Sequence, residues 1–108
     1  MITSSNINFD EVIGSGKLIR SSYYSLYYLY KKTGKCRLGI SLPKAKAQHA
    51  HDRNRLRRII RNSFGDLKNE SVDIVFLLAK NLDQYSTNDD MIVRKHLLKD
   101  IKTILLDT

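Results

Sequence analysis

The strongest constraint on the fold of this chain is a run of arginines that also carries the apolar spacing of a helix. Residues 53–61 hold five arginines in nine positions. The apolar residues in and just after this run are Leu56, Ile59, Ile60 and Phe64. At about 100° per residue they form one stripe of roughly 140°, and the arginines occupy much of the opposite arc. The pattern predicts a helix over residues 48–64, ended by Gly65, with one buried face and one basic face.

A basic face of this density repels itself unless an anion neutralises it. The 108-residue chain has a formal net charge of +8, and between Lys44 and Arg61 it has seven basic residues, two histidines and a single acid, Asp52. Acids are therefore missing from most positions that could pair with the arginines along the helix. Because a guanidinium presents a planar fork of donors that fits phosphate oxygens, the run predicts contact with nucleic acid.

The first part of the chain predicts one helix and two strands. Phe9, Val12 and Ile13 are spaced for one face of a short helix, which Gly14 and Gly16 would end. The aromatic segment 23–30 predicts a strand, with Tyr24 and Tyr28 in the core and Tyr27 on the opposite face. Residues 31–35 predict a hairpin connection to a second strand at 36–42, in which Gly39 indicates a bulge or a close approach by another element.

The last part predicts a buried strand and a long helix. Residues 72–79 are almost entirely apolar, as in a strand covered on both faces. Thr87 and Asp90 have the spacing of a capping box, so a helix is predicted from there to about Leu106. Its predicted inward residues are Val93, Leu97, Ile101, Ile104 and Leu105, and its outward residues are Lys95, Lys99 and Lys102.

Together these elements predict an α/β (α+β) two-layer sandwich. The order is α-β-β-α-β-α, with a possible extra strand at residues 17–20, and the helices pack on a small sheet. We expect a single domain over residues 1–108, with residues 1–7 frayed. The single cysteine, Cys36, is expected to be a packing residue in a reducing cytoplasm. No apolar run of membrane-spanning length and no signal peptide is present, so no membrane partner is expected.

The sequence offers little for catalysis by the chain itself. His49 and His51 are two residues apart on the predicted helix, so their side chains diverge and cannot share a metal ion. No nucleophile-base arrangement and no glycine-rich phosphate loop is apparent. We therefore expect neither a metal site nor a catalytic site.

The residues around the arginine run resemble one family closely. Residues 50–61, Ala-His-Asp-Arg-Asn-Arg-Leu-Arg-Arg-Ile-Ile-Arg, resemble the signature of the bacterial ribonuclease P protein subunit, in its proteobacterial form. Phe9, Val12 and Gly16 match the first helix of that family and its end. Residues 37–40 match the strand before the basic connection, and Lys44 matches a lysine within it.

The resemblance implies a fold, a function and two sets of site residues. It implies a ribosomal-protein-like fold with a left-handed βαβ crossover. The implied function is binding of a catalytic RNA, which with its Mg²⁺ ions removes the 5′ leader of precursor tRNA; the chain itself would bind no cofactor and would act as a monomer in a 1:1 complex. The implied RNA-binding residues are Arg53, Asn54, Arg55, Arg57, Arg58 and Arg61, and the basic connection adds Lys44 and Lys46. The implied leader cleft consists of Phe9, Ile13, Ser25 and Tyr27.

Two alternatives remain open. A ribosomal protein or RNA chaperone could use the same basic helix without belonging to any enzyme, and a protein-only nuclease is a weaker possibility. Stimulation of precursor tRNA cleavage by the catalytic RNA distinguishes the three.

Overall fold

The chain forms three α-helices, a 3-10 helix and four strands within the residues that a computed structural model describes, which are 7–82 and 85–107. The elements are α1 (Phe9–Ser15), β1 (Lys17–Arg20), β2 (Tyr24–Tyr30), β3 (Arg37–Ser41), α2 (Ala50–Ser63), the 3-10 helix (Phe64–Leu67), β4 (Val72–Leu78) and α3 (Thr87–Leu106). The predicted order is confirmed, including the extra strand at 17–20. Most of the segment predicted to be frayed, residues 1–6, lies outside the described residues.

The four strands form one mixed sheet in the order β1-β2-β4-β3. Strand β4 runs antiparallel to β2 and parallel to β3. The predicted hairpin between β2 and β3 is therefore wrong, because β4 lies between them. The physical reason is burial: an almost wholly apolar strand is covered best at the centre of the sheet. The hand of the β3-α2-β4 crossover stays a prediction.

One face of the sheet packs against α2 and α3. Residues Leu26 and Phe76 are paired on this face, and the α2 residue Leu56 belongs to the same core. The phenol of Tyr24 donates a hydrogen bond to Asp100 of α3, and that of Tyr28 donates to Asp107 at 3.2 Å. Both tyrosines are buried, which confirms their predicted place in the core.

The other face of the sheet packs against α1. Tyr27, Val75 and Gly39 lie side by side on this face in adjacent strands. The ring of Phe9 covers Gly39 so closely that a Cβ atom there would lie 2.5 Å from Phe9 Cζ. The close approach predicted at Gly39 is confirmed, and a larger residue would push α1 away from the sheet.

Several helix ends differ from the predictions. Helix α2 begins at Ala50, two residues after the predicted start, and Gly65 lies inside the 3-10 helix that continues from α2. Helix α1 runs through Gly14, and its C-cap is Gly16. Leu105 was expected to face inward but is 36% exposed.

The cap of α3 lies one residue earlier than predicted. Ser86 and Asp89 form the capping box, in which each side chain bonds the backbone N–H of the other. Asp90 is therefore not the capping residue, and its side chain makes a buried contact with α2 instead.

None of the helices in the described part of the chain is long and apolar enough to span a membrane.

Cys36 is buried, and burial raises the pKa of its thiol to about 12. The thiolate is therefore strongly disfavoured, as expected for a packing residue.

Candidate nucleic-acid interface

Helix α2 divides into an apolar and a basic face as the spacing predicts. Leu56, Ile59 and Ile60 are at most 5% exposed. On the outer side, Arg58 and Arg61 are exposed. The apolar stripe thus fixes which arginines reach the surface, because the two sets alternate on one rigid helix.

The outer side of α2 borders a groove of about 620 Å³. Its lining residues are Asn54, Arg57, Arg58, Arg61, Asn62, Gly65 and Lys68. Four of these are predicted RNA-binding residues, so the structure brings half of that set together. Among the residues that the structure describes, the lining holds four cations, two amides and no acid. This arrangement attracts phosphates and also offers hydrogen-bonding groups to bases.

Two polar residues of the groove, Asn62 and Lys68, were not predicted from the sequence. Asn62 directly follows the last arginine of the run, and Lys68 lies beyond the predicted end of the helix. Because the 3-10 helix continues the path of α2 through Gly65, Lys68 reaches the same groove. Lys68 follows Arg61 by seven residues, so on a helix that continued past Gly65 the two side chains would lie on nearly the same side. This spacing is the sequence signal that predicts Lys68 in the groove.

Arg53 is held by the backbone that leads into α2. One of its terminal nitrogens donates to the carbonyl oxygens of Ala47 at 2.7 Å and Gln48 at 2.9 Å. The N-cap residue, His49, makes no side-chain capping bond. Arg53 therefore links the segment before α2 to the first turn of the helix by hydrogen bonds.

Arg55 forms an ion pair with a buried acid. Its Nη2 atom lies 2.5 Å from Oδ2 of Asp90 on α3, and its guanidinium lies 5.7 Å from the ring centroid of Tyr85. Asp90 is 6% exposed. The expectation concerned acids along the same helix, and the partner of Arg55 comes instead from a different helix, α3. Burial and the adjacent Asp90 carboxylate raise the pKa of Tyr85.

The two predicted lysines lie before α2, outside the groove lining. Lys44 is exposed and Lys46 is half-buried. The backbone N–H groups of Lys46 and Ala47 both donate to the carbonyl of Pro43, which closes a tight turn. The lysines therefore precede the N-terminal end of α2, while the groove lining begins at Asn54 and continues past the C-terminal end of the helix.

The four predicted cleft residues lie on the α1 side of the sheet. Phe9 and Ile13 belong to α1, and Ser25 and Tyr27 alternate with the core residues of β2. All four are half-buried. The structure therefore brings this set together on the face opposite to α2 and α3.

Tyr23 is excluded from that face by its contacts. It is 4% exposed, and its phenol donates to Asp89 of α3 at 2.6 Å. It immediately precedes β2 and packs against α3.

A charged cluster that was not predicted from the sequence lies on the α1 side. Asp73 accepts hydrogen bonds from Arg37 at 3.0 and 2.6 Å and from Lys31 at 2.9 Å. Burial alone would raise the pKa of Asp73, but these hydrogen bonds outweigh it and hold the pKa below its usual value. Asp73 thus holds two cations, one on β3 and one just after the end of β2.

The described residues do not assemble a metal site of the usual kind. Within residues 7–82 and 85–107, no group of three or more His, Cys, Asp or Glu side chains is placed to hold a metal ion.

The chain has a small α+β fold, with a cationic groove along one helix and a partly aromatic surface on the other side of its sheet. These features together are typical of a nucleic-acid-binding protein. Comparison with known proteins identifies the family to which the chain belongs. The family model described as Ribonuclease P matches residues 3–103, and the chain belongs to this family.

Individual relatives agree with the family match. The ribonuclease P protein component of Legionella pneumophila (strain Corby) is 37% identical over 75 residues, which cover 69% of this chain and 66% of that protein, just under two thirds of it. The ribonuclease P protein component of Mycoplasma capricolum is 27% identical over 107 residues, covering 94% of this chain and 95% of that protein.

Solved structures share the fold. The RNase P protein from Thermotoga maritima superposes with a TM-score of 0.76 at 25% identity, covering 95% of this chain and 96% of that one. The RNase P protein of Staphylococcus aureus gives a TM-score of 0.71 at 26% identity, covering 91% and 92%.

Proposed function

We propose that this chain is the protein subunit of ribonuclease P, which binds the catalytic RNA and the 5′ leader of precursor tRNA and promotes removal of the leader. The observation that carries the proposal is the groove along α2, whose lining, among the described residues, has four cations and no acid. Membership of the Ribonuclease P family supports it.

The proposal assigns the α2 groove to the catalytic RNA. Arg57, Arg58 and Arg61 would neutralise phosphates, and Asn54 and Asn62 would bond bases or 2′-hydroxyl groups. Each neutralised phosphate releases counterions, so this binding should weaken steeply as salt rises.

The proposal assigns the α1 side of the sheet to the single-stranded leader. A half-buried aromatic ring such as Tyr27 can stack on any base, which suits a substrate segment of varied sequence. Because α2 and α1 cover opposite faces of the sheet, the protein could hold the catalytic RNA and the leader at the same time.

In this proposal the RNA carries the chemistry and holds the Mg²⁺ ions through its phosphates. The chain binds and orients the two RNAs in the cytoplasm, as a monomer in a 1:1 complex with the catalytic RNA. By neutralising phosphates it reduces the Mg²⁺ that the RNA needs.

The experiment is cleavage of precursor tRNA by the catalytic RNA at low Mg²⁺, with and without the chain. We expect stimulation by the chain, and its loss when Arg57, Arg58 and Arg61 are all replaced by glutamine. The control replaces Lys95, Lys99 and Lys102 of α3 by glutamine, which removes the same net charge from another surface.

Each alternative gives a distinct result in this assay. RNA binding without stimulation would favour a ribosomal protein or RNA chaperone. Cleavage by the chain without the catalytic RNA would favour a protein-only nuclease. Equal losses in both triple variants would show that overall charge acts, and not the groove.

A further inference from the structure

Helix α3 exposes an apolar row on the side that does not face the core. Met91 is 65% exposed and Leu98 is 57% exposed. They are seven residues apart, so on a helix they lie within about 20° of each other. Leu105 takes the next place in the same row and is 36% exposed.

The charges of α3 are sorted between its two sides. Its acids face the protein: Asp89 accepts from Tyr23 at 2.6 Å, Asp90 pairs with Arg55, and Asp100 accepts from Tyr24. The exposed ionisable residues within the helix are all cations, namely Arg94, Lys95, Lys99 and Lys102. A helix that is nearly balanced in sequence therefore presents a cationic outer side.

The cations are interleaved with the apolar row. Lys95 lies between Met91 and Leu98, and Lys102 lies between Leu98 and Leu105. The alternating spacing of four and three residues places all five side chains on one side of α3, with apolar residues and lysines in turn.

We propose that the outer side of α3 is a docking surface for an acidic amphipathic helix of a partner protein. Such a helix would place apolar residues on Met91 and Leu98 and carboxylates beside Lys95 and Lys102. A second copy of this chain fits poorly, since its lysines would meet these lysines. RNA would use the cations but gain little from the apolar row.

The test measures binding of a synthetic helical peptide to the full chain by fluorescence anisotropy. The peptide repeats leucine every seven residues and carries glutamate at the flanking positions; a scrambled peptide of the same composition is the comparison. We expect binding of the first peptide, at least tenfold weaker binding of the scrambled one, and at least tenfold weaker binding to Leu98→Glu.

Thr103→Glu is the matched control, because it adds the same charge to an exposed position of α3 away from the row. It should change peptide affinity by less than threefold. Circular dichroism of both variants checks that the fold is retained, and binding of the catalytic RNA should be equal in both.

Other outcomes overturn the proposal. Failure of the ordered peptide to bind, or equal binding of the ordered and scrambled peptides, would leave no helix-specific surface. Self-association of the chain that Leu98→Glu abolishes would assign the surface to a second copy. Binding to vesicles with anionic lipid, lost in Leu98→Glu while the peptide fails to bind, would assign it to a membrane surface.

Discussion

Replacing Arg55 by glutamine should destabilise the fold, whereas the same change at Arg57 should not. The reason is the partner of each side chain. Arg55 pairs with Asp90, whose side chain is 9% exposed, while the Arg55 side chain is 38% exposed. Removing the arginine leaves a carboxylate buried without a counter-charge.

The magnitude follows from how much solvent reaches each partner. Breaking a fully buried pair costs about 3–5 kcal/mol. Because Arg55 is partly solvated, we expect about 2 kcal/mol for Arg55→Gln, below that range. Asp90→Asn should cost about 1 kcal/mol, since the freed guanidinium can turn to water. Arg57→Gln should stay within about 0.5 kcal/mol.

Urea unfolding of the single and double variants measures these values. With a slope of about 1.5 kcal/mol per molar urea, Arg55→Gln should lower the midpoint by about 1.3 M. The double variant Arg55→Gln/Asp90→Asn should cost less than the sum of the two single changes by about 1 kcal/mol.

Additive costs in this cycle would refute the ion pair as a stabilising contact. The same proteins also test whether Arg55 contacts RNA. If its charge is engaged by Asp90, Arg55→Gln should change the salt dependence of RNA binding less than Arg57→Gln does.

Four further results are expected. Arg61→Ala should flatten the log–log salt dependence of RNA binding by about one unit per lost phosphate contact, and an unchanged slope would argue against such a contact. Tyr27→Ala should weaken binding of leader-containing tRNA more than mature tRNA, with Tyr27→Phe as the control that keeps the ring; equal losses would contradict the cleft assignment. Gly39→Ala should lower the unfolding midpoint, because its Cβ would clash with the α1 ring above it; an unchanged midpoint would show that α1 can shift freely. Asp73 has a lowered pKa in the folded state, so its contribution to stability is present above about pH 4 and is lost as the pH falls further; Asp73→Asn should remove that part of the acid dependence, measured by urea unfolding from pH 5 to pH 2.

Elements whose pattern is local could be predicted from their residues alone. The apolar stripe of α2, the continuous burial of β4 and the inward residues Val93 and Leu97 of α3 were all predicted from spacing, and the structure confirms them. Each of these patterns is complete within one helix or strand, so no other part of the chain is needed to recognise it.

Contacts between elements could not be predicted in this way, because they depend on how the helices and strands pack together. Strand β4 lies between β2 and β3 because its apolar residues are buried best at the centre of the sheet. Its position depends on how apolar it is relative to the other strands, which no single strand shows by itself. Lys68 lines the groove because the chain continues as a 3-10 helix from Phe64. The sequence did not predict this continuation, because Gly65 is typical of a helix end.

The arginine run shows the same contrast between local pattern and tertiary contact for individual residues. In sequence Arg55 and Arg57 look equivalent, since both stand in one basic segment that holds a single acid. The packing of α3 against α2 separates them, because it brings Asp90 to Arg55 and leaves Arg57 at the groove. Spacing along the chain thus predicted that the helix has a basic face, and the contact between α2 and α3 decided which arginine is paired with an acid and which ones line the groove.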